Sequence, residues 1–224
     1  MSHLTRGALY VVWGDYNKSA LDRAMASFQK HHPELPIHLE TLTAGSTLLD
    51  KANMLNLSPF DETVFLDADT IVLGRLDFGF TKAAQFGTAI CICECPWARR
   101  YEGIEGDIIE YNTGVIFFTK AAKPLFDAWN RWVREVDSSI VFVLDGKQGR
   151  MALNDQAGFA MAVEELGTQP FVLPHNWNFR PKWQKSWYGP LVIWHDYSDP
   201  PEALLNHNIK QFEPEQILLS SSLN

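Results

Sequence analysis

The tripeptide Asp67-Ala68-Asp69 lies between two apolar runs, Val64-Phe65-Leu66 and Ile71-Val72-Leu73. With 14 aspartates in 224 residues, about one D-x-D is expected by chance, so its placement carries the information. Carboxylates two apart where a strand ends face the same way. At about 4 Å they repel by roughly 1 kcal/mol in water, and by about 4 kcal/mol at an effective dielectric of 20. A cation between them relieves that repulsion. Oxygen ligands select hard ions, Mg2+ or Mn2+, which commonly bridge protein carboxylates to substrate phosphates. A diphosphate ligand follows from that chemistry, while turn residues capping the next segment are the other reading.

Further polar groups stand at similar boundaries. Gly14-Asp15 follows the apolar run Ala8 to Trp13, and His195 follows Leu191 to Trp194. Asn112 and Gly114 flank the start of an apolar strand, where Asn112 could equally make an Asx turn. Asn154 can cap a helix that begins with Asp155 and Gln156, and Asp155 could simply complement that helix dipole. Lys51 lies in a helical stretch, where a solvated lysine is the ordinary alternative. Trp177, Phe179, Trp183, Trp187, Tyr188 and Trp194 crowd one region. Their flat faces suit sugar stacking, although most tryptophans are packing residues.

The elements that must position these groups begin as strand, helix, strand, helix, strand. Ala8 to Trp13 reads as a strand covered on both faces. Leu21, Met25 and Phe28 mark a helix from Ser19 to Lys30. Pro36 to Leu42 is a second strand, Leu48, Leu49, Ala52 and Leu55 suggest another helix, and Glu62 to Leu66 is a third strand. This order predicts an α/β domain with a central, mostly parallel sheet and helices on both faces. Ligands of such sheets sit beyond the carboxyl ends of the strands, where Asp15, Asp67 and Asp69 fall. Farther on, Phe86 to Cys95 and Thr113 to Phe118 read as strands, and Pro124 to Val136 and Asp155 to Leu166 as helices. Asp145 to Arg150 reads as a loop, followed by short strands at Phe171 to Leu173 and Leu191 to Trp194.

The length favours one domain over residues 1–224. Net charge is -8, which disfavours nucleic acid as a partner because that affinity comes from Lys and Arg on phosphates. No apolar run approaches the roughly 18 residues of a membrane helix. The run Ala8 to Trp13 is also short for a signal-peptide core, so a cytoplasmic location is expected. Cys91, Cys93 and Cys95 are odd in number and wrongly spaced for a disulfide scaffold. They read as reduced strand cysteines.

Taken together, four segments resemble the GT-A glycosyltransferases, most closely the family 8 type that includes glycogenin and bacterial galactosyltransferases. They are Trp13-Gly14-Asp15-Tyr16, Lys51 ahead of Phe65-Leu66-Asp67-Ala68-Asp69, Tyr111-Asn112-Thr113-Gly114-Val115, and Asn154-Asp155-Gln156. A fifth is Leu173-Pro174 followed by Asn176, Asn178 and Arg180. The resemblance implies a Rossmann-like GT-A fold, with a nucleotide-binding half over about residues 1–80 and an acceptor half over about 81–224, and sugar transfer from a nucleotide-sugar donor, expected to be a UDP-sugar, to an unidentified carbohydrate, glycolipid or protein acceptor. It implies Asp67 and Asp69 as ligands of Mn2+ or Mg2+, with His195 as a third ligand. Gly14, Asp15 and Lys51 would join the two aspartates at the donor, and Asn112, Gly114, Trp177, Asn178 and Trp183 would lie with the acceptor. Asp155 and Gln156 would face the donor sugar as catalytic residues. Transfer with retention is implied, the leaving phosphate taking the acceptor proton. One segment departs from the pattern: His195-Asp196-Tyr197-Ser198-Asp199-Pro200 stands where the family has H-x-x-G-x-x-K-P-W. The phosphate grip of that lysine is therefore left open, and Asp196 is an alternative oxygen ligand.

Two other functions fit parts of the sequence. Hydrophobic-D-x-D-T resembles the nucleophile segment of haloacid dehalogenase-like phosphohydrolases, although here it lies on the third strand with no second acidic pair downstream. A non-catalytic sugar-binding protein would use the aromatic C-terminal third alone.

Overall fold

The computed structural model describes residues 4–93, 108–187 and 189–212. The first strand, β1 (Arg6–Val12), turns Ala8, Tyr10 and Val12 to one face and Leu9 and Val11 to the other, all buried. A strand apolar on both faces belongs inside a sheet with two covered sides. Next comes α1 (Lys18–His31), whose cap Asn17 accepts the Ala20 N–H at 3.0 Å, and which buries Ala20, Leu21, Ala24 and Phe28. β2 (Ile37–Thr41) runs parallel to β1.

The helix expected around Leu48 is instead a 3-10 stretch, Leu48–Asn53, opened by a Thr47/Asp50 capping box and continued by the single turn α2 (Met54–Leu57). In a 3-10 helix residues three apart share a side. Leu48 and Lys51 consequently both face the cleft described below.

β3 (Glu62–Leu66) pairs parallel with β1 and carries the aspartates at its end. The run after them is β4 (Thr70–Val72). α3 (Asp77–Phe86) has no counterpart in the sequence reading, because its first residue follows Leu76, which offers no capping side chain. β5 (Thr88–Ile92) is therefore shorter than expected, with Phe86 in the helix before it. Cys91 is buried, Cys93 lies just beyond the strand, and Cys95 lies outside the described residues. β6 (Tyr111–Thr119) is antiparallel to both β3 and β5.

α4 (Lys123–Glu135) buries Leu125, Phe126, Trp129 and Val133 against the sheet and neighbouring helices. The expected loop at Asp145 to Arg150 is a correction: it forms a hairpin of β7 (Ile140–Leu144) and β8 (Lys147–Met151). Its turn residues Asp145 and Gly146 have φ of 50° and 74°, the two positive values of a type I′ turn. α5 (Asp155–Leu166) starts at the expected cap, with Asn154 accepting the Gln156 N–H at 2.9 Å. β9 (Phe171–Leu173), β10 (Ile193–His195) and α6 (Glu202–Phe212) complete the described chain.

The main sheet has the order β2-β1-β3-β6-β5-β9, parallel except for β6. One face packs on α1 and α3; the other packs on α2, α4 and α5. Among the described residues, no helix is long and apolar enough to cross a membrane.

Candidate metal and donor site

The site assembles where two sheets meet. The antiparallel pairing of β3 with β6 sets Leu66 beside Val115 and continues as Asp67 N–H to Gly114 O at 2.8 Å. Asn112, Thr113 and Gly114 thereby lie next to the first aspartate. A second, two-stranded sheet pairs β4 with β10 and sets His195 opposite Thr70. That pairing brings a histidine from the far end of the chain onto Asp69.

The result is a compact donor set. His195 Nε2 is 3.2 Å from Asp69 Oδ1 and 3.8 Å from Asp67 Oδ2. One ligand atom from each of the three residues lies within 4.8 Å of the others. Two carboxylates and an imidazole suit a small divalent ion. Gly114 supplies the room, since a Cβ there would lie 2.3 Å from His195 Cε1 and 2.7 Å from Asp67 Oδ2. These residues fit a metal ion. Burial works against ionisation of Asp69, but the neighbouring His195 ring, a backbone hydrogen bond and Arg180 outweigh it and hold its carboxyl below the usual carboxylate range. Asp196 is turned aside, bonded to the Ser198 N–H at 3.0 Å.

Beneath the donor set lies a buried charge network. Lys51 Nζ donates to Asp67 Oδ1 at 3.0 Å and lies 3.6 Å from Asp155 Oδ2. Thr113 Oγ1 donates to the same Asp155 oxygen at 2.7 Å. Burial raises the Asp155 carboxyl above its usual range, with Lys51 and Thr113 pulling the other way. Burial also works to lower the Lys51 ammonium, yet Asp155 and Asp67 carry it above its ordinary value. Lys51 is thus held between two carboxylates and is not a solvated helix lysine.

These groups line a cleft of about 780 Å³, within the range of about 300–1,000 Å³ typical of ligand sites. Trp13, Asp15 and Tyr16 line it from the end of β1, Asp155 and Gln156 from the start of α5, and Arg180 and Tyr197 from the C-terminal segment. Gly14 is not itself in the lining; its φ of 58° turns the chain so that Asp15 reaches the cleft. Asn112 and Gly114 both line the cleft, Gly114 directly beside Asp67 and His195, with Asn112 Oδ1 accepting the Gly114 N–H at 3.1 Å.

Three residues expected at an acceptor are not among those that line the cleft. Trp177 is buried in the core, its ring 5.7 Å from Phe78 and 5.9 Å from Phe117, because β9 and the turn after it fold back onto α3. Trp183 packs edge-on against Phe142 of the hairpin at 5.8 Å. Asn178 is 2% exposed and bonds to His195 Nδ1 at 2.7 Å. Thr113 and Tyr197 were not singled out from sequence. Thr113 sits inside the Tyr111 to Val115 segment, so the alternation of β6 was the available signal.

No protein-family model matches the chain, and no curated protein matches its sequence. Solved structures do share its fold. The galactosyltransferase LgtC, solved with donor and acceptor sugar analogs, is 16% identical over 87% of this chain and 87% of that one, with a TM-score of 0.54. Mouse xyloside xylosyltransferase 1 is 16% identical over 88% of this chain and 99% of that one, with a TM-score of 0.58. A glycosyltransferase involved in glycosylation of the major capsid of PBCV-1 is 11% identical over 90% and 99%, with a TM-score of 0.54. Likeness at this identity defines a fold, and the fold is GT-A.

Proposed function

We propose that the protein is a glycosyltransferase that moves a sugar from a nucleoside-diphosphate donor, a UDP-sugar, to a sugar-bearing acceptor. The observation that carries this reading is the convergence of Asp67, Asp69 and His195 at the strand ends of a GT-A sheet, inside a cleft of substrate size. The fold raises the expectation of this chemistry, and the site residues supply its parts.

Asp67, Asp69 and His195 would hold a divalent ion, Mn2+ or Mg2+, which when bound supplies Lewis-acid stabilisation of the leaving diphosphate. Arg180 lines the same side of the cleft and offers a guanidinium to the diphosphate oxygens, a task for which its forked donors are suited. Trp13, Asp15 and Tyr16 lie at the end of β1, where they receive the base and ribose. Asp155 presents a carboxylate near the donor sugar, held in place by Lys51 and Thr113, and stabilises positive charge at the anomeric carbon. Gln156 stands beside it as a hydroxyl-reading amide. Met151 brings the hairpin into the lining of the cleft, where an acceptor would approach.

The test is release of nucleoside diphosphate from a panel of UDP-, GDP-, ADP- and dTDP-sugars, with Mn2+ or with chelator. Metal-dependent release from one donor supports the reading. Turnover of p-nitrophenyl phosphate with no nucleotide requirement would replace it with a phosphohydrolase. Retention of sugar binding after Asp67→Ala with Asp69→Ala, with no turnover in the parent, would replace it with a sugar-binding protein.

A further inference from the structure

We infer that Asn178 is a positioning residue that fixes the tautomer of His195, so that a bare Nε2 faces the ion held by Asp67 and Asp69. The inference rests on the reading of those three residues as a cation site, and goes beyond it by naming what aims the nitrogen ligand.

The orientation of the Asn178 amide follows from its two neighbours. On one side is the backbone carbonyl of Asn112, 3.4 Å from Nδ2. A carbonyl oxygen only accepts, so the amide must turn its NH2 toward it. Its oxygen is then left facing His195 Nδ1 at 2.7 Å. An amide oxygen likewise only accepts, so Nδ1 carries the proton and Nε2 is the nitrogen left to coordinate. Nε2 is also the atom aimed at the carboxylates, 3.2 Å from Asp69 and 3.8 Å from Asp67.

The backbone keeps this pair in register. The His195 N–H donates to Phe179 O at 2.8 Å, and the Phe179 N–H donates to Ile193 O at 2.9 Å. Asn178 therefore cannot drift along the strand relative to His195. The ring edge is held in turn against Gly114, where a Cβ would lie 2.3 Å from Cε1 and 3.1 Å from Nδ1. Both side chains are buried, so water competes poorly for the hydrogen bond.

Hydrogen-bond partners behind metal-ligating histidines typically change metal affinity by about 10–100-fold when removed. The experiment is a titration of Mn2+ into the whole protein, with free ion read by electron paramagnetic resonance, for the parent, Asn178→Ala and Asn178→Asp. We expect Asn178→Ala to weaken Mn2+ binding by about 10–100-fold. Asn178→Asp, which still accepts from Nδ1, restores most of it. In parallel, 15N spectra of the histidine-labelled parent loaded with Mg2+ are expected to show the His195 proton on Nδ1; this measurement needs no variant to fold. Equal Mn2+ affinity of the parent and Asn178→Ala, or a proton on Nε2 in the Mg2+-loaded parent, would overturn the inference while leaving the metal site intact. A parent that binds no Mn2+ would overturn the metal site itself and the inference with it.

Discussion

The ammonium of Lys51 lies 3.6 Å from the carboxylate of Asp155, and both groups are buried. Each charge offsets the desolvation of the other, and Asp67 completes the arrangement at 3.0 Å. Removing one member of a buried pair leaves an uncompensated charge, at a typical cost of about 3–5 kcal/mol. Lys51→Met should therefore lower the thermal midpoint by about 6–20 °C. Adding Asp155→Asn should recover part of that loss, and a double-mutant cycle by urea denaturation reads the coupling. Equal stability of Lys51→Met and the parent would place the pair outside the folding energetics.

Gly114 has no space for a side chain. Gly114→Ala should displace His195 or Asp67 and weaken Mn2+ binding by about tenfold or more, the scale seen when the support of a metal ligand is disturbed. Overpacking of this kind typically costs about 1–3 kcal/mol. Calorimetric titration with Mn2+ and a thermal melt separate the two effects. Unchanged affinity would show that the ligands do not depend on the close approach.

Arg180 is predicted to recognise the diphosphate and not the nucleoside. Arg180→Ala should weaken binding of UDP in the presence of Mn2+ by about 10–100-fold, in line with about 1.5–3 kcal/mol for hydrogen bonds to charged groups. Uridine affinity should stay the same. An equal loss for both ligands would mean that the residue shapes the cleft generally.

The fold carries a pH dependence away from the site. His32 is buried against Phe28 and its Nε2 accepts the Leu76 N–H at 2.9 Å, which requires a neutral ring. Burial, with Arg75 adding, lowers its pKa below 6.5, against the opposing pull of Glu34. Between the folded value and 6.5 the unfolded chain binds more protons, so stability is full above about 6.5 and falls as the pH drops below it. His31 is shifted the same way and adds to the slope. His32→Gln keeps an acceptor without a titrating ring, and its urea midpoint should vary less between about pH 5 and 6.5 than that of the parent. Parallel profiles would contradict the assignment.

Much of this was legible in the sequence, and the remainder was hidden for identifiable reasons. The first three strands declared themselves through apolar runs, α1 through the spacing of Leu21, Met25 and Phe28, and α5 through its cap Asn154. The aspartates were legible as a pair because they end β3. Their pairing with His195 was legible only through the family resemblance, since it depends on the long-range register of β4 with β10, which spacing along the chain does not encode. The hairpin at Asp145-Gly146 was missed although D-G is a strong turn signal, because the polar residues of β8 masked its strand character. Composition also cannot tell a ring folded onto the core, as Trp177 is, or packed on a hairpin, as Trp183 is, from one lining a cleft.

The central claim is that Asp67 and Asp69 hold the ion through which a nucleoside diphosphate is bound. It is tested most directly by thermal-shift measurements with UDP, GDP, ADP and dTDP, each with and without Mn2+, on the parent and on the Asp67→Ala, Asp69→Ala double variant. A ligand at a hundred times its dissociation constant stabilises by about 2.7 kcal/mol, a shift of about 5–11 °C for a chain of this size. The account predicts such a shift for one nucleotide, only with Mn2+ and only in the parent. The same shift in the double variant, or none in the parent with any nucleotide, would contradict it.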